Sequence, residues 1–150
     1  MASRRSSHSG TVKKSIIINA SKERTWRKIS NIAGLSAWVV GVKNTIYLSK
    51  RKRGVGAVRK ITFDDKNVEE HVVAWEPGKY FTYIATEGLP LRAYVATISL
   101  KPKGPKSVQI TWQSYLNSKH MAEKEFLEFL ALMGSFYEAS LENLKRSLER

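Results

Sequence analysis

Between Lys43 and Leu116, six segments that alternate apolar and polar residues follow one another, separated only by short turn sequences. They cover residues 43–49, 56–63, 67–75, 79–86, 92–100 and 106–116. The breaks carry Gly54, the run Asp64, Asp65, Lys66 and Asn67, the pair Pro77 and Gly78, then Gly88 with Pro90, and Pro102 with Gly104 and Pro105. A two-residue period with such breaks reads as strands, and connections this short join antiparallel neighbours. After Lys119 the period changes. Phe126, Leu130, Met133, Tyr137, Leu141, Leu144 and Leu148 recur at three to four residues with no proline, which predicts one long amphipathic helix. About thirty residues at roughly 1.5 Å each span about 45 Å, enough to cross a whole sheet. Gly134 in its middle costs roughly 1 kcal/mol against alanine, so it signals close packing or space kept open.

Ahead of these segments, the β-branched run around Ile16, Ile17 and Ile18 predicts a first strand over residues 12–19. Ser21 can cap a helix over 21–31, with Trp26 and Ile29 on one side, and a short helical piece follows around 34–38. The expected fold is α+β, with seven antiparallel strands, two short helices between strands one and two, and a long terminal helix. Residues 1–10, with Arg4, Arg5 and four serines, hold too little apolar surface to order themselves and read as a flexible basic tail. Residues 11–150 read as a single domain.

Composition excludes several classes of function. Cysteine is absent, which removes disulfides and thiolate chemistry, and His8, His71 and His120 are scattered without ligand spacing, so no metal is expected. His71 has the strand parity of Glu69 and Val73 and should face outward. Gly54 and Gly56 lack the third glycine and following helix of a dinucleotide loop, and no cofactor is implied. No apolar run approaches the roughly 20 residues of a membrane span, and a soluble, cytoplasmic protein is expected. The net charge of +13 is uneven: residues 1–60 hold 15 Lys and Arg against the single acid Glu23. Lys50, Arg51, Lys52 and Arg53 form the densest run, the solvated tip of a hairpin. Such a run can also attract RNA or an anionic membrane surface, though no aromatics are interleaved to stack on single-stranded bases. Oligomeric state is not legible.

One residue breaks the alternation. In the second of the six segments Ala57, Arg59, Ile61 and Phe63 share the more apolar face, so a guanidinium stands where an aliphatic side chain is expected. It cannot escape burial by losing its proton and needs a carboxylate, a ligand anion or water beside it. On the next segment Val68, Glu70, Val72 and Ala74 share a face by the same arithmetic, so Glu70 is the candidate partner.

In order and spacing, several motifs resemble the START-like, or SRPBCC, superfamily, in particular its polyketide cyclase/dehydrase and lipid transport branch. The carriers are Ile18, Asn19, Ala20 and Ser21 leading into the helix of Trp26; Trp38; Gly54, Val55, Gly56, Ala57, Val58 and Arg59; Glu70; and Trp75, Glu76, Pro77 and Gly78 before a tyrosine-rich strand. The resemblance covers roughly residues 12–148, departing from the pattern at Ser21, where a proline is common, and in its heavier basic content. It implies a helix-grip fold, in which a curved seven-stranded sheet wraps around the terminal helix and leaves a cavity. Members carry lipids, sterols or polyketides, and a minority catalyse cyclisation or dehydration.

On that implied fold, the face of Arg59 and Glu70 extends through Phe81, Tyr83, Tyr94, Ala96, Ile98, Ile110 and Trp112, with Phe126, Leu130, Met133 and Tyr137 above from the helix and Trp38 beside. This is the lining of a pocket for a hydrophobic ligand carrying one or two oxygens. Arg59 and Glu70 are either a structural ion pair or an anchor for a ligand carboxylate, carbonyl or enolate. An enzyme would use Glu70 as acid or base, Arg59 as electrophilic stabiliser and Tyr83 or Tyr94 as proton donor. The expected function is binding or carriage of a hydrophobic small molecule. The alternatives are a cyclase or dehydratase, or docking of the basic surface on RNA, ribosome or membrane.

Overall fold

The computed structural model describes residues 7–150 of the chain. Seven strands form one antiparallel sheet: β1 (His8–Ile18), β2 (Asn44–Tyr47), β3 (Val58–Thr62), β4 (Asn67–Glu76), β5 (Tyr80–Glu87), β6 (Ala93–Gly104) and β7 (Ser107–Ser118). Their spatial order is β1-β7-β6-β5-β4-β3-β2, so β2 to β7 make the predicted meander and β1 joins its far side. Helix α1 (Lys22–Ile29) and a 3-10 segment (Ile32–Ala37) lie between β1 and β2, and helix α2 (Glu123–Leu148) ends the chain. This is the helix-grip arrangement.

The local rules explain most boundaries. Ser21 caps α1, its hydroxyl accepting the Arg24 amide at 3.2 Å. Gly78 and Gly88 sit in turns at positive φ, and at Gly88 an added Cβ would lie 2.0 Å from the Asn67 carbonyl oxygen. β1 starts at His8, earlier than the β-branched run implies. β7 continues to Ser118 and offers partners as far as His8, so residues 8–10 belong to the sheet and not to a tail. Residues 1–6 lie outside the described residues.

Two features set where α2 lies. Gly10 on β1 leaves room for Leu130, whose Cδ1 would stand 2.7 Å from an added Cβ, and Gly134 lies against Lys14, whose Cε would be 3.3 Å from one. The helix therefore packs closely along β1, with Lys14 reaching Glu138 at 3.3 Å. The inner face of β3 to β6 is left facing a hollow.

The strand parity of β4 holds only in part. A bulge between Val72 and Ala74 shifts the register, so Ala74 stands opposite Thr82 and leaves the inward face on which simple alternation places it. Trp75 takes the inward place instead, opposite Phe81 and 5.3 Å from Trp26 between ring centres. His71 faces outward as expected, 3.0 Å from Glu69, and hydrogen bonds from His71 and Thr86 hold the Glu69 carboxyl below the usual carboxylate range. Among the described residues, no helix is long and apolar enough to cross a membrane, and no three His, Asp or Glu cluster as metal ligands would.

Candidate functional site

Arg59 on β3 pairs directly across the ladder with Glu70 on β4, as strand arithmetic requires. Its Nε donates to one carboxylate oxygen, Oε1, at 3.1 Å, and Nη2 lies 3.0 Å from the same oxygen in an ion pair. Both residues are buried, Arg59 at 2% exposure. The guanidinium carbon lies 5.0 Å from the Tyr83 ring centre and 5.7 Å from that of Phe81, so two aromatic faces from β5 cover the charge. The Nη1 group has no hydrogen-bond partner in the protein. Burial raises the Glu70 carboxyl above its ordinary value, and the neighbouring guanidinium opposes that rise.

Next to this pair runs a chain of hydroxyls. The Trp112 indole Nε1 donates to the Tyr83 hydroxyl at 3.1 Å, Tyr83 and Tyr94 hydroxyls meet at 3.4 Å, and Tyr94 bonds on to Tyr137 from α2. Burial holds all three phenols above the usual tyrosine range, so they stay neutral and act as hydrogen-bonding groups, not bases. Tyr137 stacks on Trp112 with ring centres 4.0 Å apart.

These walls enclose a cavity of about 300 Å³. The sheet supplies Arg59, Ile61, Val68, Glu70, Phe81, Tyr83, Tyr94, Ile98 and Trp112, with Phe63 just beyond β3. The 3-10 segment and the residues after it supply Ile32, Leu35, Trp38, Val39 and Val40; α2 supplies Phe129, Leu132, Met133 and Phe136; and the turns add Lys66 and Leu89. Val40, Lys66 and Leu132 are exposed and mark where the cavity reaches the surface. The segment after the 3-10 turn is tied to α2 by Val40 N donating to Ser140 Oγ at 3.1 Å and by Asn143 Nδ2 donating to the Trp38 carbonyl at 3.2 Å. Trp38 itself is 1% exposed, and its indole Nε1, like Arg59 Nη1, has no protein partner.

Of the residues expected to line a pocket, eleven do: Trp38, Arg59, Ile61, Phe63, Glu70, Phe81, Tyr83, Tyr94, Ile98, Trp112 and Met133. Four do not. Ile110 is fully buried between Ile16 and Leu100 on the neighbouring strands, at the filled end of the sheet. Phe126 stacks on His8 and Leu130 covers Gly10, because that stripe of α2 faces β1. Tyr137 is shielded by Trp112 and touches the site only through its bond to Tyr94.

The helix residues that sequence reasoning missed, Phe129, Leu132 and Phe136, form with Met133 a second stripe at the same helical spacing as the first. That spacing was available as a signal. Ile32 and Leu35, with Trp38, recur at the three-residue period of the 3-10 segment, whereas Val39, Val40, Lys66 and Leu89 come from irregular segments, where no period exists to read. Lys50, Arg51, Lys52 and Arg53 are exposed on the loop between β2 and β3, as expected, with Lys52 over the Tyr47 ring at 5.8 Å.

A family model described as polyketide cyclase / dehydrase and lipid transport matches residues 9–149. No curated protein sequence matches the chain significantly. Among solved structures, the protein XoxI of Bacillus cereus superposes with a TM-score of 0.79 at 20% identity, covering 93% of this chain and 95% of that one. An uncharacterised protein of Bacillus thuringiensis gives 0.79 at 20% identity over 93% and 98%. A point mutant of Thalictrum flavum norcoclaurine synthase, bound to a transition-state analogue, gives 0.72 at 16% over 97% of both chains. At these identities the likeness is one of fold.

Proposed function

The chain belongs to the polyketide cyclase / dehydrase and lipid transport family, and from that membership and the make-up of its cavity we propose that it binds a hydrophobic small molecule between the sheet and α2. The observation that carries this reading is the cavity: about 300 Å³, walled by aromatic and aliphatic side chains, with a few polar groups set among them. Such a lining takes up apolar surface through the hydrophobic effect, while the polar groups fix orientation. The neutral fluorescent probe N-phenyl-1-naphthylamine should bind with 1:1 saturation, and extraction of natively purified protein should release a lipid-like or aromatic compound detectable by mass spectrometry. No probe binding together with an empty extract overturns the reading.

A second reading, catalysis of the cyclase or dehydratase kind, draws support from Glu70 and the hydroxyls of Tyr83 and Tyr94 lining the same cavity as Arg59. Glu70→Gln would then abolish turnover while leaving binding nearly intact. Docking on an anionic membrane or RNA draws support only from the exposed Lys50, Arg51, Lys52 and Arg53, with Leu48 and Val55 exposed nearby. Its signature is affinity that falls steeply with salt.

A further inference from the structure

Resting on the binding reading above, we infer that the ligand is an amphipathic carboxylate, an aromatic or alicyclic acid whose anionic group meets the free edge of the Arg59 guanidinium. A guanidinium presents its hydrogens along distinct edges. Glu70 takes the side edge through Nε and Nη2 with a single oxygen. The end edge, formed by Nη1 and the second hydrogen of Nη2, is left with two parallel N–H groups, and Nη1 has no protein partner at all. Two parallel donors at that spacing are the complement of a carboxylate.

Two further polar atoms of the lining are not engaged by the protein: Trp38 Nε1, a donor, and Glu70 Oε2, an acceptor that Arg59 leaves free. Trp38 Nε1 is buried, unbonded and able only to donate. A ligand whose polar group only donates, such as an amine, could meet Glu70 Oε2 but would leave Arg59 Nη1 and Trp38 Nε1 unsatisfied, each at the desolvation cost of a buried polar group. An acceptor can satisfy Arg59 Nη1.

Charge separates a carboxylate from a neutral carbonyl. The lining holds two cationic residues, Arg59 and Lys66, against the one acid Glu70, and Lys66 stands at the exposed rim with Asp65 only at 3.7 Å. Both cations of the lining are thus paired with an acid, and the preference for an anion comes from the chain as a whole, whose net charge of +13 draws anions toward it. The rest of the wall is aromatic and aliphatic, and at about 300 Å³ the cavity lies at the small end of ligand pockets, which suits a ligand of one or two rings.

The test compares two probes that share a ring system, naphthalene-2-carboxylate and 2-naphthalenemethanol, by calorimetry near neutral pH, where the acid is ionised. The carboxylate should bind at least about tenfold more tightly, the scale of a charge-assisted pair. Arg59→Met should lower the affinity for the acid far more than that for the alcohol and so remove that preference. Glu70→Gln keeps an oxygen to accept from Arg59 but removes the competing charge, so it should raise the acid-to-alcohol ratio. Equal binding of acid and alcohol overturns the carboxylate assignment and leaves the apolar pocket standing; binding of neither probe overturns the pocket reading with it. Should Arg59→Met fail to fold, Glu70→Gln decides alone, since an unchanged ratio means the ligand does not meet the guanidinium.

Discussion

The two halves of α2 are packed in opposite ways against the same sheet. Toward its C-terminus Leu141, Leu144 and Leu148 are each at most 2% exposed, and the helix end is fastened: Lys145 Nζ donates to the Ile17 carbonyl at 2.9 Å and the Asn19 amide donates to Glu149 at 2.8 Å. Upstream, Phe129, Met133 and Phe136 face a cavity, and Leu132 is 69% exposed at its edge. One helix and one sheet thus make both a filled core and a hollow. The difference comes from position: α2 follows β1, pressed there by Gly10 and Gly134, so only the fastened end closes over the sheet. A buried charge such as Arg59 belongs in the hollow half, where its remaining donors can meet a ligand or water.

The largest test of this contrast breaks the charge in the hollow half. Glu70→Ala leaves the guanidinium buried without its counter-ion and should cost about 3–5 kcal/mol, read by chemical denaturation. A loss below about 1 kcal/mol would mean that Arg59 is already well solvated from the cavity. The next test compares aliphatic side chains. Leu144→Ala in the filled half should cost about 2–5 kcal/mol through lost contacts and a new void. Met133→Ala only enlarges space that exists, so it should cost less than half as much, and equal losses would show that the hollow is closed in solution. A smaller effect belongs to the hydroxyl chain. Tyr83→Phe leaves the buried Trp112 Nε1 without its acceptor and should cost about 1–3 kcal/mol, whereas Thr82→Val on the outer face loses only a half-exposed bond to Thr97 and should cost less than about 1 kcal/mol.

Regular segments were legible in the sequence and irregular ones were not, and the site straddles both. The parity of Arg59 and Glu70 predicts a pair that the ladder registers directly, because period two is enforced wherever one face of a strand is buried. The same arithmetic fails at Ala74, past a bulge that composition does not announce. On α2 both apolar stripes are written in the sequence, but which one meets β1 depends on two glycines on separate elements coming together, a tertiary fact. The 3-10 segment carries a three-residue period at Ile32, Leu35 and Trp38, but the turns that complete the wall have none. Their inward residues follow from bonds such as Val40 to Ser140, a hundred positions apart.

The smallest expected effect separates the halves by pH. The filled half titrates at its fastened surface end, where bonds from Lys145 and the Asn19 amide hold the Glu149 carboxyl below its ordinary value, whereas in the hollow Glu70 faces Arg59, Tyr83 and, across the hydroxyl chain, Tyr94 and Tyr137. Burial raises the Glu70 carboxyl and Arg59 opposes it, so the net rise is what remains of two larger influences. Between the unfolded value, about 4.3, and the raised folded value, the native state binds more protons than the unfolded state. Stability from this group is therefore fully present below the unfolded value and declines as pH rises through the folded one. Glu70→Gln has no such proton to lose, so its stability relative to the parent should improve steadily over that window and level off above it. A relative stability that worsens as pH rises would place the folded Glu70 value below the unfolded one and make the guanidinium, not burial, the stronger influence on this carboxylate.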